Sequence, residues 1–229
     1  MTIEQANECF SSLPEGFAPA EELRAALTAD VQKVQFVGVA GTAGKTAAAG
    51  LLAAILREAA FHVGFYRAGC EPLSARIAIG GVSVDPVLLC QAAEALNAAK
   101  PLPREAAELA AAARCFGAAG CKLAVVELPD AGLASALPQM PVCAVTAIGP
   151  DGVSRSVERL AALAAGVMRK DAVCVTAPEQ PKAVLSELVV AAAKAECELV
   201  VPDAEDITFL EAEKFTSKVD YGGYTAPLA

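Results

Sequence analysis

Short apolar runs recur along the chain, and segments with helical periodicity separate most of them. The runs lie at 34–40, 62–66, 122–127, 141–147, 172–176 and 198–201. Runs of this length, without regular alternation of polar and apolar residues, are typical of strands that are buried on both faces. Because helices alternate with these strands, the pattern predicts an α/β domain with a mostly parallel sheet and helices on both faces.

The remaining elements follow from helical periodicity and turn residues. Helices are expected at 3–12, 21–29, 45–60, 104–118, 154–168 and 181–195. Asp85-Pro86 is typical of a further helix start, and Gly80-Gly81 predicts a small β-hairpin within 77–84. The segment 215–228 predicts one or two short edge strands with a turn at Gly222-Gly223. We therefore expect one domain made of N-terminal helices, an α/β core and C-terminal edge strands, at 1–30, 31–202 and 203–229.

The charge and hydropathy patterns argue against two classes of partner. The chain has 18 Lys and Arg against 27 Asp and Glu, a net charge of −9, and only 5% aromatic residues. Nucleic-acid binding relies on basic surfaces and aromatic platforms, so we expect no nucleic-acid partner. The longest apolar stretches are shorter than the ~20 residues that a membrane-spanning helix needs, so we expect no membrane partner.

Eight cysteines and a single histidine bear on redox and metal chemistry. The cysteines form no C-x-x-C pair, and most lie in apolar runs such as 142–144 and 173–175. A thiol in such a run behaves as a small hydrophobic group. Core filling by reduced thiols is therefore favoured over disulfides, which predicts a cytoplasmic protein without a zinc site.

One glycine-rich turn lies directly between the apolar run 34–40 and the helix expected at 45–60. Its residues are Gly41, Thr42, Ala43, Gly44, Lys45 and Thr46. Glycines let several backbone N–H groups point at one anion, and the following helix adds the positive end of its dipole. In such loops the lysine reaches the β- and γ-phosphates, and the hydroxyl after it can hold Mg²⁺. The turn therefore predicts a fold of the P-loop NTPase type that binds ATP through these six residues.

The same turn has a purely structural and a dinucleotide-binding alternative. It departs from the usual G-x-x-x-x-G-K-[ST] pattern, because Val39 occupies the first glycine position between Gly38 and Gly41. Small residues would also allow a strand and a helix to pack closely, which is the structural alternative. A dinucleotide site is not supported, because Lys45 is foreign to that pattern and the second strand runs into Arg67 rather than an acid.

Glu127 ends the apolar run 122–127. The carboxyl ends of strands face the ligand crevice in open parallel sheets, and carboxylate oxygens suit Mg²⁺. We therefore predict that Thr46 and Glu127 bind the metal. A helix cap or a solvated loop acid is the alternative for Glu127.

In their order along the chain, these motifs resemble the N-terminal ATP-binding domain of folylpolyglutamate synthases, within the Mur ligase family. Besides the turn, 75–81 is similar to the family's "ERI…NG" segment, 125–128 to "LEVGLGG" and 145–151 to "ITSIGLDH". The resemblance covers nearly the whole chain. It implies an enzyme that phosphorylates a carboxylate with ATP before an amine displaces the phosphate. It also implies ATP and Mg²⁺ as cofactors, and folate or another small carboxylate as substrate.

The sequence departs from the family's pattern where the family holds its second metal ion. Gly152 stands in place of a histidine, Ala164 in place of a carbamylated lysine, and 68–70 in place of "SPH". Arg169 or Lys170 could supply charge in their place. The resemblance also implies a C-terminal domain that helps to bind the amino acid, and we expect 203–229 to lead toward such a domain, absent from this sequence.

Three functions follow from these residues. The favoured one is a nucleotide-binding domain that is related to ATP-dependent amide ligases but catalytically impaired on its own, a pseudoenzyme. Phosphoryl transfer depends on metals and cations, and metal-placing groups are missing. The second is an active folate- or peptide-type ligase domain that works with a separate C-terminal domain, supplied by a partner protein. The third is a non-catalytic interaction scaffold.

Overall fold

The computed structural model describes residues 1–16, 19–150, 152, 155–203, 205, 207–212, 217–221 and 224–228. The strands of its main sheet are β1 (Gln35–Ala40), β2 (Val63–Tyr66), β3 (Ile77–Ile79), β4 (Val82–Ser83), β5 (Leu123–Glu127), β6 (Gln139–Val145), β7 (Val173–Thr176) and β8 (Glu198–Val200). The helices are α1 (Ile3–Ser11), α2 (Ala20–Ala25), α3 (Lys45–Glu58), α4 (Leu73–Arg76), α5 (Pro86–Asn97), α6 (Arg104–Ala118), α7 (Val157–Ala164) and α8 (Lys182–Ala195). Short 3₁₀ helices lie at Val31–Lys33, Ala131–Ala136 and Ala165–Val167.

Within the described residues, eight strands form the main sheet in the order β4-β3-β2-β5-β1-β6-β7-β8. The six strands from β2 to β8 in this order pair in parallel, and β3 and β4 add an antiparallel hairpin at one edge. In the register of the central strand β1, Val39 pairs with Glu127 on one side and with Ala144 on the other. The predicted mostly parallel sheet is therefore confirmed, and so is the hairpin.

Helices pack against both faces of this sheet, as predicted. On one face, α3 covers the centre, where Val37, Val39 and Val125 are buried next to its Ala49. The other face, which includes Phe36, packs against the layer formed by the remaining long helices and the 3₁₀ helices. The glycine-rich turn joins β1 to α3, so it lies at the carboxyl edge of the sheet's central strand.

A buried ion pair ties the segment after β2 to α6. Arg76 donates hydrogen bonds to both carboxylate oxygens of Glu108, at 2.5 and 2.9 Å, and Arg104 donates to the same carboxylate at 3.0 Å. Burial raises the pKa of the neighbouring Tyr66, and the charge of Glu108 raises it further. Because all these groups are partnered, the network is satisfied although it is buried.

Several element boundaries differ from the sequence-based expectation. Helix α6 has the predicted ends, but α2 ends at Ala25 because the following residues turn into the 3₁₀ helix Val31–Lys33. Helix α7 begins at Val157 rather than at 154, because the Ser156 side chain caps it and accepts a hydrogen bond from the Arg159 N–H at 3.3 Å. The predicted helix 154–168 also ends early, at Ala164, where a 3₁₀ helix takes over.

The C-terminal segment forms a sheet of its own. Strands β9 (Ile207–Ala212), β10 (Ser217–Tyr221) and β11 (Tyr224–Leu228) pair antiparallel in the order β11-β10-β9. The sequence predicted one or two edge strands, and it missed β9. Neighbouring strands on short connections pair with each other, so this segment builds a separate sheet instead of extending the main one. The turn predicted at Gly222-Gly223 lies outside the described residues.

All eight cysteines lie within the described residues, and all are free. Five are buried, Cys9 and Cys90 are half-buried, and Cys70 is exposed. Burial raises the pKa of Cys115 to about 12 and that of Cys121 to about 11, so these thiols are poor nucleophiles. The prediction of free and mostly buried thiols is confirmed. In the part of the chain that the structure describes, no helix has the length and apolar character needed to cross a membrane.

Candidate functional site

The glycine-rich turn adopts a backbone that only glycine accommodates well. Gly41 has φ of 135° and Gly44 has φ of 80°. A Cβ atom at Gly41 would clash with Oγ1 of Thr146, the residue that directly follows β6. These two glycines let the chain turn sharply from β1 into α3, so that Lys45 is the first residue of a 14-residue helix.

The amino end of α3 is open to a ligand. The first N–H groups of a helix have no acceptor within the helix, and no side chain of the N-cap residue Gly44 supplies one. Lys45 extends its ammonium group back over the turn and donates to the carbonyl of Gly41 at 2.9 Å. Helix dipole and lysine together put positive potential at this point, which favours an anion.

Thr46 and Glu127 meet beside this helix end. The hydroxyl of Thr46 donates to Oε2 of Glu127 over 2.9 Å. Glu127 is only 5% exposed, and its position follows from the parallel pairing of β5 with β1. Two oxygen atoms from different elements thus meet at the start of α3. That they bind Mg²⁺ stays a prediction. Within the described residues, no group of three or more His, Cys, Asp or Glu side chains is placed to hold a metal.

The loop after β6 forms hydrogen bonds with the glycine-rich turn. Thr42 and Ala43 donate backbone N–H bonds to the carbonyl of Ala147, at 3.2 and 3.1 Å. The Thr42 hydroxyl donates to the same carbonyl at 3.0 Å and accepts from the Gly149 N–H at 2.8 Å. These contacts hold the first half of the turn in place.

Gln180 fixes this supporting loop. Its amide nitrogen donates to the carbonyl of Thr146 and to Oγ1 of Thr176, both at 3.0 Å. Its amide oxygen accepts from the N–H of Ile148 at 3.1 Å. Gln180 was not predicted from the sequence, because its partners are distant in sequence and no local pattern marks it.

A cavity of about 430 Å³ opens in front of the turn. Gly41, Thr42 and Lys45 line one side of it, and Leu160 and Ala164 of α7 line the other. Its charged lining residues are Lys45, Asp130 and Arg155. Of the residues predicted to bind nucleotide, Ala43, Gly44 and Thr46 belong to the same turn but do not line this cavity.

Asp130 and Arg155 were not predicted from the sequence. Asp130 caps the 3₁₀ helix Ala131–Ala136 and accepts from the Gly132 N–H at 2.8 Å. Burial raises the pKa of Glu105, and the negative charge of Asp130 raises it further. An acid three residues beyond Glu127 was the available signal for Asp130. Arg155 lies at the start of the segment expected as a helix at 154–168, and helical periodicity alone gives no signal for a cavity-lining residue.

The positions that depart from the family's pattern are placed as follows. Ala164 lines the cavity and offers only a methyl group to it. Gly152 has φ of 74°. The preceding residue, Asp151, lies outside the described residues. The two cations considered as replacements point elsewhere: Arg169 donates to the carbonyls of Leu137 and Ala134, and Lys170 pairs with Glu196 at 2.6 Å. The expectation that either could serve the site is therefore wrong.

Comparison with solved structures identifies the fold. Folylpolyglutamate synthetase from Lactobacillus casei superposes with a TM-score of 0.81 at 18% identity, over 98% of this chain and 60% of that structure. E. coli FolC in complex with DHPP and ADP superposes with a TM-score of 0.78 at 18% identity, over 99% of this chain and 57% of that structure. Mycobacterium tuberculosis folylpolyglutamate synthase complexed with ADP superposes with a TM-score of 0.79 at 19% identity, over 95% of this chain and 54% of that structure. At this identity the likeness establishes the fold alone.

The resemblance stated from the sequence motifs is thus confirmed at the level of fold, which is that of the N-terminal nucleotide-binding domain of these synthases. The chain spans between 54% and 60% of the length of the three structures. No family model matches the sequence, and no curated protein matches it.

Proposed function

We propose that this chain is a nucleotide-binding domain of the amide-ligase type, which binds ATP or ADP but does not form amide bonds on its own. The observation that carries the proposal is the meeting of Thr46 and Glu127 at 2.9 Å beside the amino end of α3. The adjacent Lys45 lines a cavity of about 430 Å³, which is large enough for a small ligand, although Thr46 and Glu127 do not line it themselves.

Phosphate binding follows from the turn. The free N–H groups at the start of α3 and the helix dipole attract an anion, and Lys45 adds a full positive charge. The Lys45 ammonium group now donates to an uncharged acceptor, the Gly41 carbonyl. A negatively charged phosphate oxygen is a stronger acceptor, so it would displace this carbonyl from the ammonium group. E. coli FolC and the M. tuberculosis folylpolyglutamate synthase, which have the same fold, have been solved as complexes with ADP, which supports the same assignment.

Magnesium fits the residues present. Mg²⁺ in nucleotide sites is commonly held by one or two protein oxygens together with phosphates and water, so Thr46 and Glu127 would suffice to hold it. When bound, the ion would neutralise phosphate charge. The lack of a larger ligand cluster among the described residues does not conflict with this role.

The proposal of impaired catalysis depends on residues outside the glycine-rich turn. Ala164 carries no group that could place a second metal ion, and Gly152 carries no side chain at all. Transition states of phosphoryl transfer are stabilised mainly by metals and cations, so these losses fall on chemistry more than on binding. An active ligase domain completed by a partner protein, with folate or another small carboxylate as substrate, is the alternative. The free thiols support a reducing, cytoplasmic setting.

Calorimetric titration of the protein with ATP and ADP in the presence of Mg²⁺ tests the binding proposal. We expect a dissociation constant in the micromolar to millimolar range, and loss of binding in Lys45→Ala. Lys33→Ala is the matched control, because this exposed lysine pairs with Asp30 at 2.9 Å and does not line the cavity. Absence of nucleotide binding by the unaltered protein would refute the proposal and favour the scaffold function.

A further inference from the structure

We infer that a second cavity, lined by Arg24 and Arg169 at the amino edge of the main sheet, binds a small dianion that carries a phosphate group. This cavity lies at the opposite end of the strands from the glycine-rich turn, because its lining residues Gln32, Pro138 and Arg169 precede β1, β6 and β7. The inference is therefore independent of the proposed nucleotide site.

The two arginines converge on one short segment before β6. The Arg24 guanidinium group donates to the carbonyl of Ser135 at 2.8 Å. The Arg169 guanidinium group donates to the carbonyls of Ala134 and Leu137, the latter at 2.6 Å. Because these carbonyls belong to one stretch at the end of a 3₁₀ helix, the two guanidinium groups are neighbours although they are distant in sequence.

The lining of this cavity carries an excess of positive charge. Gln32 and Ser135 are its other polar lining residues, and no acid lines it in the part of the chain that the structure describes. This excess occurs in a chain whose net charge is −9. Two positive charges without a negative one favour a ligand with two negative charges.

The described contacts do not neutralise the two arginines. Their acceptors are main-chain carbonyls, which bear only partial charges, and within the described residues neither arginine forms an ion pair with a carboxylate. Arg169 is also half-buried, and burial lowers its pKa, which the positive charge of Arg24 lowers further. A bound anion would offset the cost of holding these two cations together.

A phosphate group suits this arrangement in charge and in geometry. A planar guanidinium group can donate two parallel hydrogen bonds to one phosphate, and the carbonyl bonds leave N–H donors of both arginines unused. A phosphate ester carries a charge of about −1.5 to −2 at neutral pH, which matches the two cations. The cavity volume of about 360 Å³ also leaves room for a small organic group on the phosphate.

NMR spectroscopy of the ¹⁵N-labelled protein at constant ionic strength tests this site by its location. Inorganic phosphate and glycerol 3-phosphate are the probes, which distinguish free phosphate from a phosphate ester, and acetate is the monovalent comparison. The backbone N–H signals of Ser135 and Leu137 report on this cavity. Those of Lys45 and Thr46 report on the glycine-rich turn, where phosphate is also expected to bind.

Three variants separate a ligand-binding role of Arg24 from a structural one. Arg24 is exposed, so Arg24→Ala is expected to fold, which its NMR spectrum verifies. Arg24→Lys keeps the charge but loses the planar donor geometry. Arg159→Ala is the matched control, because Arg159 is an exposed arginine that does not line this cavity.

We expect at least one of the two phosphate probes to shift the signals of Ser135 and Leu137 with a millimolar dissociation constant, and acetate to shift them much less. Arg24→Ala should weaken this binding about tenfold, the scale of one charge-assisted contact. Arg24→Lys should recover part of the loss, and Arg159→Ala should match the unaltered protein.

Three outcomes would overturn the inference. They are unshifted signals of Ser135 and Leu137 with both phosphate probes, equal shifts with acetate, and unchanged binding in Arg24→Ala. Each would leave Arg24 and Arg169 with the structural role of binding the carbonyls before β6. Shifts confined to Lys45 and Thr46 would support the nucleotide site while overturning this one.

Discussion

The hydroxyl of Thr46 donates a hydrogen bond to the carboxylate of Glu127, 2.9 Å away, although 81 residues separate them in the chain. Parallel pairing of β1 with β5 brings them together, since Val39 and Glu127 lie in register at the ends of these strands. The sheet topology thus delivers a carboxylate to the start of α3, where the proposed nucleotide phosphates bind.

Glu127→Gln tests the metal role of this pair. The substitution keeps the size of the side chain and an acceptor for Thr46 but removes the charge that attracts Mg²⁺. We expect Mg²⁺ to strengthen ATP binding by the unaltered protein about tenfold, and by Glu127→Gln less than about threefold. Titrations with Mg²⁺ and with a chelator measure both effects. Glu198→Gln, at an exposed residue of β8, is the control, and an undiminished magnesium effect in Glu127→Gln would contradict the assignment.

Gly41→Ala should destabilise the protein. At φ of 135° an alanine is strained, and its Cβ would clash with Thr146. We expect the free energy of unfolding in urea to fall by about 2 kcal/mol, the scale for a strained backbone position. Gly149→Ala is the control, because a Cβ there would meet no atom within 4 Å. Equal stability of the two variants would show that the turn relaxes without cost.

Breaking the buried Arg76–Glu108 pair should cost far more than breaking an exposed pair. Removal of Arg76 leaves the Glu108 carboxylate, 5% exposed, with only Arg104 as charged partner. We expect Arg76→Ala to lower the free energy of unfolding by about 3–5 kcal/mol. Arg67→Ala breaks the exposed Arg67–Glu71 pair and should cost less than about 1 kcal/mol. Denaturant titrations that give similar losses for both would refute the structural role of the buried pair.

The unaltered chain alone should not join glutamate to folate. Ala164 and Gly152 each remove a group that could stabilise the transition state, and one such group is worth about 3 kcal/mol. Incubation with ATP, Mg²⁺, reduced folate and glutamate should therefore release no ADP that depends on the acceptor. The folylpolyglutamate synthetase from Lactobacillus casei serves as the positive control. Turnover on the order of 1 s⁻¹ would instead favour the active-ligase function.

The sequence predicted those features that local patterns encode. The turn at Gly41 to Thr46 and the ends of α6 follow from short-range signals, namely glycines, a lysine and helical periodicity. The contacts of Gln180 and the place of Arg155 in the cavity could not be predicted, because they depend on how β6, β7 and α7 pack. The same limit applies to β9. Its formation depends on pairing with β10, and amino-acid composition does not reveal which strands pair.

A crystal structure of the protein with Mg²⁺ and a non-hydrolysable ATP analogue tests the central claim most directly. We predict a phosphate against the backbone of Gly44 to Thr46, with the Lys45 ammonium moved from the Gly41 carbonyl, now 2.9 Å away, onto that phosphate. We also predict the metal ion in contact with Thr46. An empty turn in which Lys45 still bonds to Gly41, or a nucleotide bound elsewhere on the protein, would contradict the proposed nucleotide site.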